Sequence, residues 1–130
     1  MAGFSDYLED KVLDHVFGGT AYTAPTTHYV ALYTVAPTDT GGGTEVTGGA
    51  YARQTSTFNV SGTSPTTATN AAAVEYPTAT ADYGTVVAVG IMDALTSGNL
   101  LAYANLDTSK VVSSGDVFRF DAGDLDITLA

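Results

Sequence analysis

The sequence predicts a mainly β fold, a β-sandwich or jelly-roll-like body with one N-terminal amphipathic α-helix. Three observations carry that expectation. Only Phe4 to Phe17 shows helical periodicity, the later apolar runs are short and rich in β-branched residues, and Gly, Pro, Ser and Asn separate those runs at intervals suited to short strands. A chain of 130 residues has the size of one domain. The expected organisation is therefore a single unit over 1–130, with a helix at 5–17 and a β body over 27–130.

At about 100° per residue, Phe4, Leu8, Val12 and Val16 fall on one arc of the helix, and Asp6, Asp10 and Asp14 on the opposite one. Ser5 is placed to cap the N-terminus, and Asp6, Glu9 and Asp10 sit where carboxylates favour the helix dipole. Gly18 or Gly19 stops the helix. The Phe4, Leu8, Val12 and Val16 face is expected to pack on the core. Leu13 and Phe17 fall beside the acidic arc, and a neighbouring subunit is expected there.

Thr27 to Val35 reads as an interior strand, with His28, Val30 and Leu32 on one face and Tyr29, Tyr33 and Val35 on the other. Ala36 to Gly49 holds Pro37 and five glycines, Gly41, Gly42, Gly43, Gly48 and Gly49, the mark of a long flexible excursion. Thr44 to Thr47 offers a short edge strand within it. Tyr51 to Val60 alternates like a strand with one wet face, and Ala68 to Tyr76 is read as a strand despite the helix-favouring Ala71, Ala72 and Ala73. Thr85 to Met92 is the most apolar stretch, suited to a buried central strand in which Gly90 admits a close neighbour or a bulge. Ser97-Gly98-Asn99 turns it into Leu100 to Leu106 as a hairpin. Short strands at Val111-Val112, Val117 to Phe120 and Leu125 to Leu129 bring the total to about seven to nine.

Composition excludes several classes. Fourteen acids face only Lys11, Arg53, Lys110 and Arg119, a formal net charge of -10, so there is no basic footprint for nucleic acid or for an anionic membrane. No apolar run has the length of a membrane span, and the acidic N-terminus does not read as a secretory signal. Without cysteine there are no disulfides and no thiolate chemistry. Charged residues make up only 14% of the chain, against about a quarter in typical domains. Such a surface favours lateral protein contacts, because fewer ions need desolvating.

No catalytic or cofactor motif is present, so neither enzymatic activity nor a cofactor is expected. His15 and His28 are the only imidazoles and lack a nucleophile context. Gly41, Gly42 and Gly43 lack the Lys-Ser/Thr of a phosphate loop. Asp116, Asp121, Asp124 and Asp126 are the best candidates for calcium, but they do not follow the spacing of a calcium loop, and solvated strand-end acids are the better explanation of them. No metal site is therefore expected.

The run MAGFSDYLEDKVLDHVFGGTAYTAP, followed by HYVALYT, APTDTGGGTEV, GGAYARQ, AVEYPTATADYGTVVAVGIMDA and SSGDVFRFDAGDLDITL, resembles a family of small virion proteins of tailed bacteriophages. Its members are labelled tail fibre proteins or structural proteins. One departure is Tyr83, where the family has an aromatic residue, often Trp. The resemblance implies a non-catalytic particle component working through contacts with further copies of itself, as a trimer or ring, and with phage capsid or tail proteins. Of two placements, decoration or cement on the head surface is the expectation, and a tail or tail-fibre component with a receptor- or glycan-binding role is the alternative. Decoration is preferred because the chain has no fibre repeat or coiled-coil heptad. In that reading Leu13, Phe17 and the Gly41, Gly42, Gly43 loop staple neighbouring subunits, whereas in the alternative the eight tyrosines provide stacking surfaces.

Overall fold

The computed structural model describes residues 3–129. Its elements are β1 (Gly3–Phe4), α1 (Asp6–Val16), β2 (His28–Val35), β3 (Thr44–Glu45), β4 (Gln54–Ser56), β5 (Phe58–Ser61), β6 (Thr66–Asn70), β7 (Val74–Glu75), β8 (Gly84–Met92), β9 (Leu100–Val112), β10 (Arg119–Phe120) and β11 (Asp126–Leu129). The fold is mainly β with one helix among the described residues, and every strand pairing among them is antiparallel.

The main sheet has the order β1-β9-β8-β2-β3, with β4 also pairing β2. Its centre is β8, whose residues from Ala88 to Met92 are all buried. Such a continuous apolar run fits only a strand covered on both faces. Gly90 sits between Ala31 of β2 and Tyr103 of β9. A Cβ there would lie 2.8 Å from the Tyr33 ring and 2.9 Å from Leu100, so the position needs glycine for close approach, as its place in the sequence predicts.

A three-stranded sheet, β11-β6-β5, and the pair β10-β7 form the second layer. The layers meet in one cluster, with Val30, Leu32, Val86, Ile91 and Leu101 from the main sheet and Val74, Tyr76, Phe118, Phe120 and Leu125 from the other. The body is thus sandwich-like, without closing into a barrel. Asn70, 2% exposed, fastens the second layer: its side chain donates to the carbonyls of Ala72 and Asp121 and accepts from the N–H groups of Gly123 and Leu125. All its polar capacity is used, as a buried amide requires.

Three stretches differ from the sequence reading, and eleven strands stand among the described residues where about seven to nine were expected. Ala68 to Tyr76 is not one strand, since β6 ends at Asn70 and pairs with β5 and β11, the chain leaves the ladder at Ala71 to Ala73, and β7 pairs with β10. Tyr51 to Val60 is not one strand but two, since β4 pairs with the main sheet and β5 with the second layer, so the chain changes sheets at Thr57. Corner-turning of this kind lets one segment serve two layers. Leu100 to Val112 is one long strand rather than two short ones. Val86 pairs with Lys110 and Ala88 with Asn105, so the polar stretch around 106–109 bows out of the ladder without ending the strand.

Candidate functional site

Ser5 docks the helix onto the sheet. Its N–H donates to the Leu101 carbonyl at 2.8 Å, its hydroxyl donates to the Leu100 carbonyl, and the same oxygen accepts from the Leu8 N–H, the expected N-cap. Tyr7 and Leu8 pack against the core cluster. After the helix the chain returns along it, with the Tyr22 N–H donating to His15 Nδ1 and the Tyr22 ring edge-on to Tyr7.

The predicted core face of this helix is only partly used, and no residue of α1 is fully buried. Phe4, Leu8 and Val12 are half-buried, whereas Val16 is 61% exposed. The expectation that all four residues pack inward is corrected for that reason: the helix is anchored by its first turns, and its last turn has no core beneath it. Leu13 and Phe17, expected at an interface, are 59% and 83% exposed. Phe4 and Leu8 instead line an apolar cleft with Phe58, Val60, Ala68 and Ile127 of the second layer.

Gly41, Gly42 and Gly43 lie in a folded turn fastened to the helix start. Thr38 and Gly41 exchange backbone hydrogen bonds, the Asp6 N–H donates to the Asp39 carbonyl at 2.9 Å, and the Tyr103 hydroxyl donates to the Asp39 carboxylate. At Gly43, with φ +73°, a Cβ would meet the Val35 carbonyl oxygen at 2.6 Å, so only glycine fits. A Cβ at Gly41 or Gly42 would have no atom within 4 Å, and both positions face open space. The structure does not bring these glycines together with Leu13 and Phe17, which lie at the other end of the helix.

The excursion from β2 to β4 contains a polar hub that motif reading missed. Arg53 grips Glu45 bidentately, Nε to Oε2 at 2.9 Å and one terminal nitrogen to Oε1 at 2.7 Å. Its other terminal nitrogen donates to the Ala94 and Ser97 carbonyls, both at 2.8 Å. The Tyr51 hydroxyl donates to Glu45 Oε2 and accepts from the Leu32 N–H. Burial pushes the Glu45 carboxyl up, but the hydrogen bonds from Arg53 and Tyr51 and the guanidinium charge outweigh it and hold the group below its ordinary value. Burial, reinforced by the bond to Glu45, pushes the Tyr51 phenol far above its usual range. The one advance signal is an Arg in a chain with only four cations, set in the alternating stretch that begins at Tyr51.

Below this hub the Tyr51 ring stacks on Tyr76 and meets Tyr83 edge-on, and Tyr76 meets Phe118. Tyr76 is 1% exposed, and its hydroxyl donates to the Val30 carbonyl at 2.7 Å. Tyr83 is a core ring, 5% exposed, whose hydroxyl donates to the Pro77 carbonyl. Tyr33, Tyr76 and Tyr83 are buried and no tyrosine is fully exposed, which leaves little of the stacking surface the sequence offered.

The histidines serve the fold: His15 accepts from Tyr22, and His28 lies edge-on to Phe58. The C-terminal aspartates are each used locally. Asp116 accepts from the Ser113 N–H, Asp121 from Arg119, Asp124 from the Asp121 N–H and Asp126 from the Thr69 hydroxyl. No three His, Asp or Glu side chains gather into a metal-holding group among the described residues, and no helix of the described chain is long and apolar enough to cross a membrane.

The Arg53–Glu45 pair and Asn70 thus spend their polar groups on holding the fold together, while the surface carries exposed acids and, at the end of the helix, the apolar Leu13, Val16 and Phe17. In comparison with protein families, the model of the podophage GP4 fiber I protein gp80 family matches residues 3–128. The chain belongs to that family. It is a phage fibre structural protein, a non-catalytic component of the virion. Membership of the fibre family supports the tail-side placement over decoration of the head, for which the comparison offers nothing. A search of curated proteins found no match.

Proposed function

We infer that this chain is a tail-fibre component whose task is mechanical: a compact β module that joins the fibre to other proteins of the particle. The match of the fibre family over residues 3–128 carries this reading. The geometry agrees with it, because the polar interactions are spent on holding loops together, as at Arg53, Glu45 and Asn70. A module built this way transmits load through packed sheets and displays its surface to neighbours. A receptor- or glycan-binding role is not adopted, since Tyr33, Tyr76 and Tyr83 are core rings and the other five tyrosines are half-buried.

Gold-labelled antibody against this chain, or a particle reconstruction, tests the placement. Label or density confined to the tail and its fibres is expected. Regular density over the head lattice would return the protein to decoration.

A further inference from the structure

We propose that the last turns of α1 are an anchor that inserts into an apolar socket, rimmed by Lys or Arg, on a different virion protein. The inference rests on the fibre reading above and names the surface and the kind of partner it requires. Leu13, Val16 and Phe17, spaced i, i+3 and i+4, form one contiguous patch, and they are 59%, 61% and 83% exposed. Glu9, Asp10 and Asp14 lie within about a turn of them on the same side of the helix, so the apolar knobs are flanked by acids on their N-terminal side. The carbonyls of the helix C-terminus add further negative potential. A protruding aromatic residue flanked by charge is the form of a binding hot spot, where the ring fills a pocket and the charges steer and fix the register.

Charge complementarity decides the occupant. A second copy of this chain would have to offer a basic socket, and it has four cations against fourteen acids. Arg53 is sequestered by Glu45, Arg119 is held by Glu75 and Asp121, and Lys11 is on the helix itself, over the Tyr7 ring. That leaves Lys110 alone to supply such a rim. Copies meeting through this helix would bring acid against acid. The socket therefore belongs to another protein, with an apolar floor and a basic rim.

Phage deleted for this gene, grown in cells supplying the chain from a plasmid, gives particles whose content of it can be measured by immunoblot. The wild-type chain restores incorporation. Phe17→Ser and the double change Asp10→Lys with Asp14→Lys are each expected to lower it at least about tenfold, as loss of a hot-spot residue does. Val111→Ser, also on an exposed residue but away from the helix, is expected to match wild type, and all variants are expected to melt as the wild type does. Sedimentation of the purified chain should not change with Phe17→Ser. Normal incorporation of the Phe17→Ser and charge-reversed variants overturns the anchor, and so does an oligomer of the purified chain that Phe17→Ser dissolves, which would make the occupant a second copy. Antibody labelling of the same particles judges the fibre reading separately. Label on the head with incorporation still dependent on Phe17 overturns the fibre reading alone, and label on the tail with no such dependence overturns the anchor alone.

Discussion

The loop between β2 and β4 and the last turns of α1 use their charges in opposite ways. In the loop, Glu45 and Arg53 neutralise each other, and the guanidinium also satisfies two carbonyls of the turn that joins β8 to β9. In the helix, Glu9, Asp10 and Asp14 have no cation near them in sequence except Lys11, and the apolar residues among them cover nothing. A loop with many glycines looks dispensable, and a helix looks structural. Here the loop is held by the protein's own core and the helix end is spare. The difference teaches that the residues needed for folding and those available to a partner are separated by whether the chain itself completes their contacts.

The largest expected effect breaks the first region. Arg53→Met leaves the Glu45 carboxylate with only the Tyr51 hydroxyl as donor and takes the guanidinium from the Ala94 and Ser97 carbonyls, in a place where the Arg53 side chain is only 8% exposed. Removal of one partner from a buried pair costs about 3–5 kcal/mol, and the lower end is expected because Glu45 can still reach water. Urea unfolding at neutral pH measures it. Adding Glu45→Leu to Arg53→Met should recover part of the loss, since an apolar pair leaves no stranded charge. Equal and additive losses would show that the two side chains act independently.

A smaller effect sharpens the same contrast through pH. Glu45 has a folded pKa below its unfolded value, so its contribution is complete above the ordinary carboxylate value of 4.5 and is lost as the pH falls through the lowered folded value. Glu45→Gln should flatten the acid limb of the stability curve below about pH 4.5. Identical acid limbs for Glu45→Gln and wild type would remove the hub from any account of acid sensitivity.

The two regions also differ in how readily the sequence discloses them. Periodicity reports what repeats, and so α1, the buried β8 and the close approach at Gly90 are all legible in advance. The exposure of Leu13 and Phe17 follows from their place beside Asp10 and Asp14 on the same helical arc. Contacts that depend on chain closure have no such signature: Glu45 reads as part of a short edge strand inside the loop and Arg53 as part of the next strand, and they meet only because β3 and β4 both pair with β2. The division of Tyr51 to Val60 between two sheets is hidden for a related reason, since alternation continues through Thr57 while the hydrogen-bonding partner changes. The inward fate of Tyr51, Tyr76 and Tyr83 is likewise a matter of packing, because tyrosine suits a core and a surface equally well. Val16 misleads in the other direction, because its arc is apolar but the residue itself is 61% exposed.

The smallest expected effect is the one that most sharply separates the regions. Phe17→Ser and Leu13→Ser remove side chains that are mostly in water already, so each should change unfolding free energy by no more than about 0.5 kcal/mol. Leu8→Ala, on the same helix but packed against the core cluster, should cost about 1–2 kcal/mol, less than a fully buried leucine because it is only half-covered. Thermal unfolding of the three variants measured side by side makes the comparison without reference to any partner. If Phe17→Ser destabilised the isolated protein as much as Leu8→Ala, the helix end would be completing its own core, and its aromatic ring would no longer be free for a neighbour. If the order holds, the reason for an aromatic ring at position 17 has to come from outside the chain.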